Sequence, residues 1–132
     1  MHTQDTIAIR VRYHETDGQG RVHHAQYLNY FERGRVELLR SLGHSYRDFE
    51  AGGLMLVVVE MNIKYVAAAA FDDQLELTTR VVRSRGVRIE HDYRIVRCES
   101  ETKELIVEAH SVIACVDRDG KVARLPAYLR QA

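Results

Sequence analysis

One long helical stripe followed only by strand-like segments is the feature that most constrains this chain. From Ala25 to Leu42 the residues Tyr27, Leu28, Phe31, Val36, Leu38, Leu39 and Leu42 form a broad apolar face at helical spacing, with Gly43 placed to close the helix. At about 1.5 Å per residue this segment spans roughly 27 Å. Gly34 falls on the buried side and costs roughly 1 kcal/mol relative to alanine, which implies a strand backbone passing close by. Ahead of the helix, Ile7, Ile9, Val11 and Tyr13 alternate with polar or small residues and predict a strand over 7–13. After it, a polar turn or helical piece at Tyr46 to Gly53 leads into period-two segments at 59–65, 75–81, 87–95 and 104–117. Asp119-Gly120 then marks a turn before a short last strand from Lys121 to Leu125.

One strand, one long helix and four or five mostly antiparallel strands exclude a doubly wound parallel sheet, so the fold class is α+β with a five- or six-stranded sheet. One helix covers one face of such a sheet. The outward positions nevertheless keep Val82, Val96, Ile106, Val112 and Val116, which predicts a partner surface and a homodimer or homotetramer.

Composition narrows the function classes. A chain of 132 residues, 45% hydrophobic and 29% charged, supports a single domain over 1–132 and excludes a disordered one. Lys+Arg and Asp+Glu both total 19, so no net field steers the chain toward nucleic acid. The arginines between Arg80 and Arg97 are interrupted by Glu90 and Asp92, which argues further against a nucleic-acid partner. Cys98 and Cys115 have no metal-site spacing, HExxH is absent, and no metal is expected. The start MHTQDTIAIRVRY has no basic-then-apolar leader and no segment is long enough to span a membrane, so a cytoplasmic protein without membrane insertion is expected.

The segment from His14 to His24 breaks all periodicity and carries Gly18 and Gly20, which permit backbone conformations and close approaches that a side chain blocks. Read from Tyr13 to Arg35, an aromatic residue precedes an acidic stretch ending Thr16-Asp17, then a glycine, Val22, a His23-His24 pair, Tyr27-Leu28 and Glu32-Arg-Gly-Arg35. This pattern resembles the hot-dog fold acyl-CoA thioesterases of the 4-hydroxybenzoyl-CoA thioesterase class, and more closely the branch associated with the bacterial Tol–Pal system. Asp17, Gly20, Val22, His24, Tyr27, Glu32 and Arg35 match, whereas His23 replaces the usual tyrosine, Glu15 a common aspartate and Gly34 a common alanine. The stretch from Tyr65 to Leu75 and the end around Asp119-Gly120 and Pro126 extend the resemblance over essentially the whole chain, with Ala67 to Ala70 in place of the usual proline.

The resemblance implies a long central helix wrapped by the sheet, an acyl-CoA substrate with an acyl carrier protein as alternative carrier, and no cofactor beyond the coenzyme A of the substrate. It also implies a catalytic carboxylate at Asp17, with Glu32 on the helix as the second candidate. The residues themselves agree. There is no GxSxG elbow, so a carboxylate is a better candidate than a serine triad. Asp17 in a glycine-containing loop entering a helix is placed either to attack a thioester carbonyl or to activate water, and equally to cap a turn. His24 is a candidate to bond the carbonyl or orient the carboxylate, or else to cap the helix. Gly20 and Tyr27 are candidate substrate contacts, although Tyr27 also lies on the core stripe. Arg85 and Arg88, flanking Gly86 at a strand turn, are candidate phosphate contacts for coenzyme A or part of a solvated charged face. A non-catalytic module that binds acyl-CoA or acyl carrier protein is the alternative function, since fold alone does not decide activity.

Overall fold

The computed structural model describes residues 4–99 and 101–130. Strand β1 (Gln4–Arg10) is followed by a 3-10 turn at Tyr13–Glu15, helix α1 (Gln26–Ser41) and a short helix α2 (Tyr46–Ala51). Strands β2 (Leu54–Tyr65), β3 (Gln74–Arg85), β4 (Arg88–Glu99) and β5 (Thr102–Asp117) then build the sheet, and a 3-10 turn at Ala127–Leu129 ends the described chain. The sheet is antiparallel throughout, in the order β1-β3-β4-β5-β2.

Helix α1 lies across this sheet because its buried residues, Tyr27, Tyr30, Phe31, Gly34, Leu38 and Leu39, recur at three- and four-residue spacing. Its neighbours are the inward side chains of the strands, Ile9, Leu75, Leu77, Tyr93, Ile95 and Val107 among them. The helix ends as expected at Gly43, whose φ of 88° allows its N–H to reach Arg40 O while His44 N reaches Leu39 O, a Schellman closure. Gly34 does mark the close approach to a strand. What arrives there is the side chains of β3 rather than its backbone: a Cβ at position 34 would lie 2.8 Å from Leu77 Cδ2 and closer still to Thr79 Oγ1.

Three expectations are corrected. The first strand ends at Arg10, and Tyr13, expected to face inward with Ile9 and Val11, stands 77% exposed because the chain turns tightly over Tyr13–Glu15. The short strand at 121–125 is absent from the described residues. Asp117 Oδ1 accepts the N–H groups of Asp119 and Lys121, only a Val116–Val122 bridge forms, and Leu125 N turns to Gly86 O, so the sheet has five strands. Of the supposed outward apolar residues, Ile106 and Val116 are buried within the chain itself. At Ile106 the cause is a bulge: Ile95 pairs with Val107 but Val96 pairs with Leu105, so Ile106 is skipped and turns into the core beside Val107. Val82 is exposed as expected, and a further exposed apolar run lies on edge strand β2, at Val57, Val58 and Val59, where another bulge interrupts pairing with β5.

Candidate active site

The loop between β1 and α1 is held from both sides. Val11 exchanges backbone hydrogen bonds with Asp72 and Asp73, Thr16 bridges Val22, and Arg21 bridges Ala70. Below it the 67–73 segment is pinned to β4 by Arg97, whose Nη1 donates to Ala68 O at 3.0 Å and to Asp73 Oδ2 at 2.7 Å. Asp73 Oδ2 also accepts from Ala70 N, so one carboxylate sets the curvature of the segment on which the loop rests.

Glu15 ties the loop to the helix. Its buried carboxylate accepts from Arg12 N and Tyr30 Oη, both at 2.8 Å, and from Gln26 Nε2 at 3.3 Å, while its carbonyl accepts from His23 N. Burial and this carboxylate push the Tyr30 phenol well above its ordinary value. Reading the sequence missed Glu15 as an anchor. The sequence carried little signal for it, since Arg12, three residues earlier, has no side-chain acceptor to complete a capping box and only its backbone N–H meets the carboxylate.

Asp17 sits at the tip of a tight turn. Its backbone N–H donates to Arg21 O, its carbonyl accepts from Gly20 N, and its Oδ1 accepts from Gln19 N at 2.8 Å and Arg21 N at 3.3 Å. The Gln19 N–H is the chief reason its carboxyl lies below the ordinary value; burial opposes it in part, and the Arg21 N–H with the electrostatic influence of His23 and Arg21 adds smaller downward pulls. Oδ2 has no hydrogen-bond partner among the described residues. The carboxylate is thus oriented through one oxygen and free at the other. Gly20 supplies the φ of 79° that the turn requires.

His24 is exposed, stacked on His23 with ring centroids 4.4 Å apart, and its carbonyl accepts from Tyr65 Oη at 2.9 Å. His23 is the residue that meets the helix end, its Nδ1 accepting from Ala25 N at 3.1 Å. Tyr27 is buried in the core, edge-on to Tyr30 and Tyr65, and burial pushes its phenol up to about 12. Glu32 is exposed on α1 and lines two cavities that include no residue of the Asp17 loop. Arg85 and Arg88 pair across the two-residue turn joining β3 to β4, exposed at the far end of the sheet. Strand β3 starts next to Asp73 and runs 12 residues to Arg85, so these arginines lie roughly 36 Å from the loop within one chain. Among the described residues no group of three or more His, Cys, Asp or Glu is placed to hold a metal ion, and no helix is long and apolar enough to cross a membrane.

A long helix laid over a five-stranded antiparallel sheet, entered through a loop with a fixed carboxylate, defines a hot-dog fold of the thioesterase kind. A family model described as the thioesterase-like superfamily matches residues 11–132. An acyl-CoA thioester hydrolase, YbgC, of Escherichia coli is 38% identical over 83% of this chain and 79% of its own length. Among solved structures, a probable thioesterase from Bartonella henselae is 35% identical, with a TM-score of 0.83 over 93% of this chain and 99% of that one. A 4-hydroxybenzoyl-CoA thioesterase variant in complex with 4-hydroxybenzoyl-CoA shares the fold at a TM-score of 0.88, with 19% identity and 96% of each chain covered. The chain belongs to the thioesterase-like superfamily and is a thioester hydrolase. The resemblance read from the loop is thereby borne out, and the Escherichia coli relative is consistent with the branch named there.

Proposed function

We propose that this chain, a single hot-dog domain over residues 1–132, hydrolyses acyl-coenzyme A thioesters to the free acid and coenzyme A in the cytoplasm, with Asp17 as the catalytic carboxylate. The observation that carries this reading is the state of Asp17: ionised, oriented through Oδ1, and unpartnered at Oδ2. Such an oxygen either attacks the thioester carbon, expelling the coenzyme A thiolate and leaving an anhydride for water to open, or takes a proton from the attacking water. In this reading Gly20 gives the turn its form, His24 and Tyr27 are the substrate contacts, and Glu32, which lines cavities apart from the loop, is the alternative carboxylate. Coenzyme A enters as part of the substrate, and no step calls for a cofactor or metal. Two free thiols, Cys98 and Cys115, suit a reducing compartment.

A second copy completes the reading. Strand β2 ends the sheet with an unpaired edge and exposes Val57, Val58 and Val59. Antiparallel pairing of two β2 edges about a two-fold axis carries the partner copy's β3–β4 turn toward the sheet end where Asp17 lies. Arg85 and Arg88 then serve the phosphates of substrate bound at the other copy's loop, and the 36 Å within one chain ceases to be an obstacle.

The test is thiol release from benzoyl-, short-chain and long-chain acyl-CoA and from an acyl carrier protein thioester, for the natural chain and Asp17→Asn. The expected result is turnover on an acyl-CoA that falls at least about a hundredfold in a variant with unchanged circular dichroism. Full activity in Asp17→Asn would move the chemistry to Glu32, and binding without turnover in the natural chain would leave the module reading.

A further inference from the structure

A cavity of about 240 Å³ lies between the C-terminal half of α1 and the strands beneath it, away from the Asp17 loop. Its walls are mainly apolar: Leu38, Leu39 and Leu42 from the helix, and Leu56, Val81 and Ile89 from the sheet. A void of roughly 150 Å³ is enough to admit benzene, so this one has room for an aromatic ring or a medium-length alkyl chain.

The polar groups in the walls divide into two kinds. Ser84 donates to Leu129 O and the Tyr46 hydroxyl accepts from Leu56 N, so both are used by the fold, while Glu32 faces solvent. Arg35 and His91 are not used in this way. The Arg35 guanidinium spends one donor on Tyr93 Oη, at 2.9 Å, and makes no ion pair among the described residues. His91, 5% exposed, has an Nδ1 with no hydrogen-bond partner. A buried polar side chain left unpaired costs on the order of 1–3 kcal/mol, which applies to His91, while the half-buried Arg35 guanidinium keeps four donors without a partner among the described residues. The orientation is set: Tyr93 Oη, itself bonded to Ser111 Oγ at 2.6 Å, holds Arg35 toward the sheet beside His91.

We propose that this cavity binds a small amphipathic monocarboxylate, with its apolar body among Leu38, Leu39, Leu42 and Ile89 and its carboxylate on the Arg35 guanidinium beside His91. A planar fork of donors matches a carboxylate in bidentate fashion. The site does not depend on the role of Asp17, since no residue of the loop over 11–25 lines it.

The experiment is a calorimetric titration of the full chain with sodium octanoate and with 1-octanol, while the His91 ring signals are followed by NMR. Octanoate is expected to bind saturably, to shift the His91 signals, and to bind at least tenfold more tightly than 1-octanol. Arg35→Met is expected to weaken octanoate at least tenfold, Arg35→Lys to weaken it by less than Arg35→Met because the charge remains while the bidentate fork is lost, and Asp17→Asn to leave it unchanged. Absence of saturable octanoate binding, equal binding of 1-octanol, or an Arg35→Met variant that binds as well as the natural chain would overturn the proposal. So would octanoate binding that disappears in Asp17→Asn without any movement of the His91 signals. Should Arg35→Met fail to fold, the comparison of octanoate with 1-octanol on the natural chain and on Arg35→Lys still decides.

Discussion

The two ends of helix α1 treat polar groups in opposite ways. At its N-terminal end, Glu15, Asp73 and Arg97 are each bonded to two or more partners, and one oxygen, Asp17 Oδ2, is left over at an accessible turn. Toward its C-terminal end the surroundings are apolar, and the unspent groups, Arg35 and His91 Nδ1, are partly or almost wholly buried. An unpaired group in water costs little, whereas the same group in the interior is expensive and persists only where something offsets it. The first end therefore reads as a rigid mount for a reactive carboxylate, the second as a chamber whose polarity awaits an occupant.

Breaking the mount tests the first half of this contrast. Asp17→Asn carries the largest expected effect, the hundredfold loss of turnover described above, with unfolding midpoint unchanged because the side-chain turn bonds survive in the amide. Glu15→Ala strikes beneath it. Arg12 N and the buried Tyr30 hydroxyl lose their acceptor, and a urea titration should register a loss of about 2–3 kcal/mol together with reduced turnover, as the loop loses its tie to α1. Removing a buried acceptor and keeping full stability would mean that the loop is held by the 67–73 segment alone.

Gly34→Ala probes the ground between the two ends. Helix propensity favours alanine by about 1 kcal/mol, but the new Cβ collides with Leu77 and Thr79, and overpacking of this kind costs about 1–3 kcal/mol. A net loss of about 1 kcal/mol in the same urea assay is expected; a net gain would show that β3 yields more easily than its packing suggests.

Acid sharpens the contrast further. Burial, with the nearby positive charges of Arg35 and His110, lowers His91 to about 3 against a modest upward pull from Asp92. A folded-state value below the ordinary 6.5 makes its contribution fully present above about pH 6.5 and progressively lost as pH falls toward 3, because the unfolded chain takes up the proton first. His91→Gln should flatten the fall in unfolding free energy across that window. At the other end, the lowered Asp17 carboxyl stays ionised at every pH above its ordinary range, so the pH–rate profile should show no limb from Asp17 between about pH 5 and 7. That is the smallest effect, and a limb within the window would point to a different titrating group.

Much of the fold was legible because its signals are local and repeated. The stripe from Tyr27 to Leu39 and the closure at Gly43 depend on neighbours within a turn or two, and the β3 and β4 alternations each run for many residues. The last strand and the orientation of Ile106 were not legible in the same way. Each turns on a single event, the side-chain bonds of Asp117 or one skipped residue at a bulge, and a one-residue slip reverses the face of everything beyond it. The loop announced itself through Asp17 and its glycines, whereas Glu15 looked like a minor departure in a motif.

The sequence by itself determined the α+β class, the single long helix, a mostly antiparallel set of strands and the family, since periodicity and a dense motif survive without knowledge of distance. The tertiary structure decided which polar groups meet. Glu15 reaches Tyr30 across 15 positions, Arg97 reaches Asp73 across 24 and Arg35 reaches Tyr93 across 58. Such pairs leave no periodic trace in the chain, and only the packing of helix, loops and strands on one another determines which hydrogen bonds are made and which are left open.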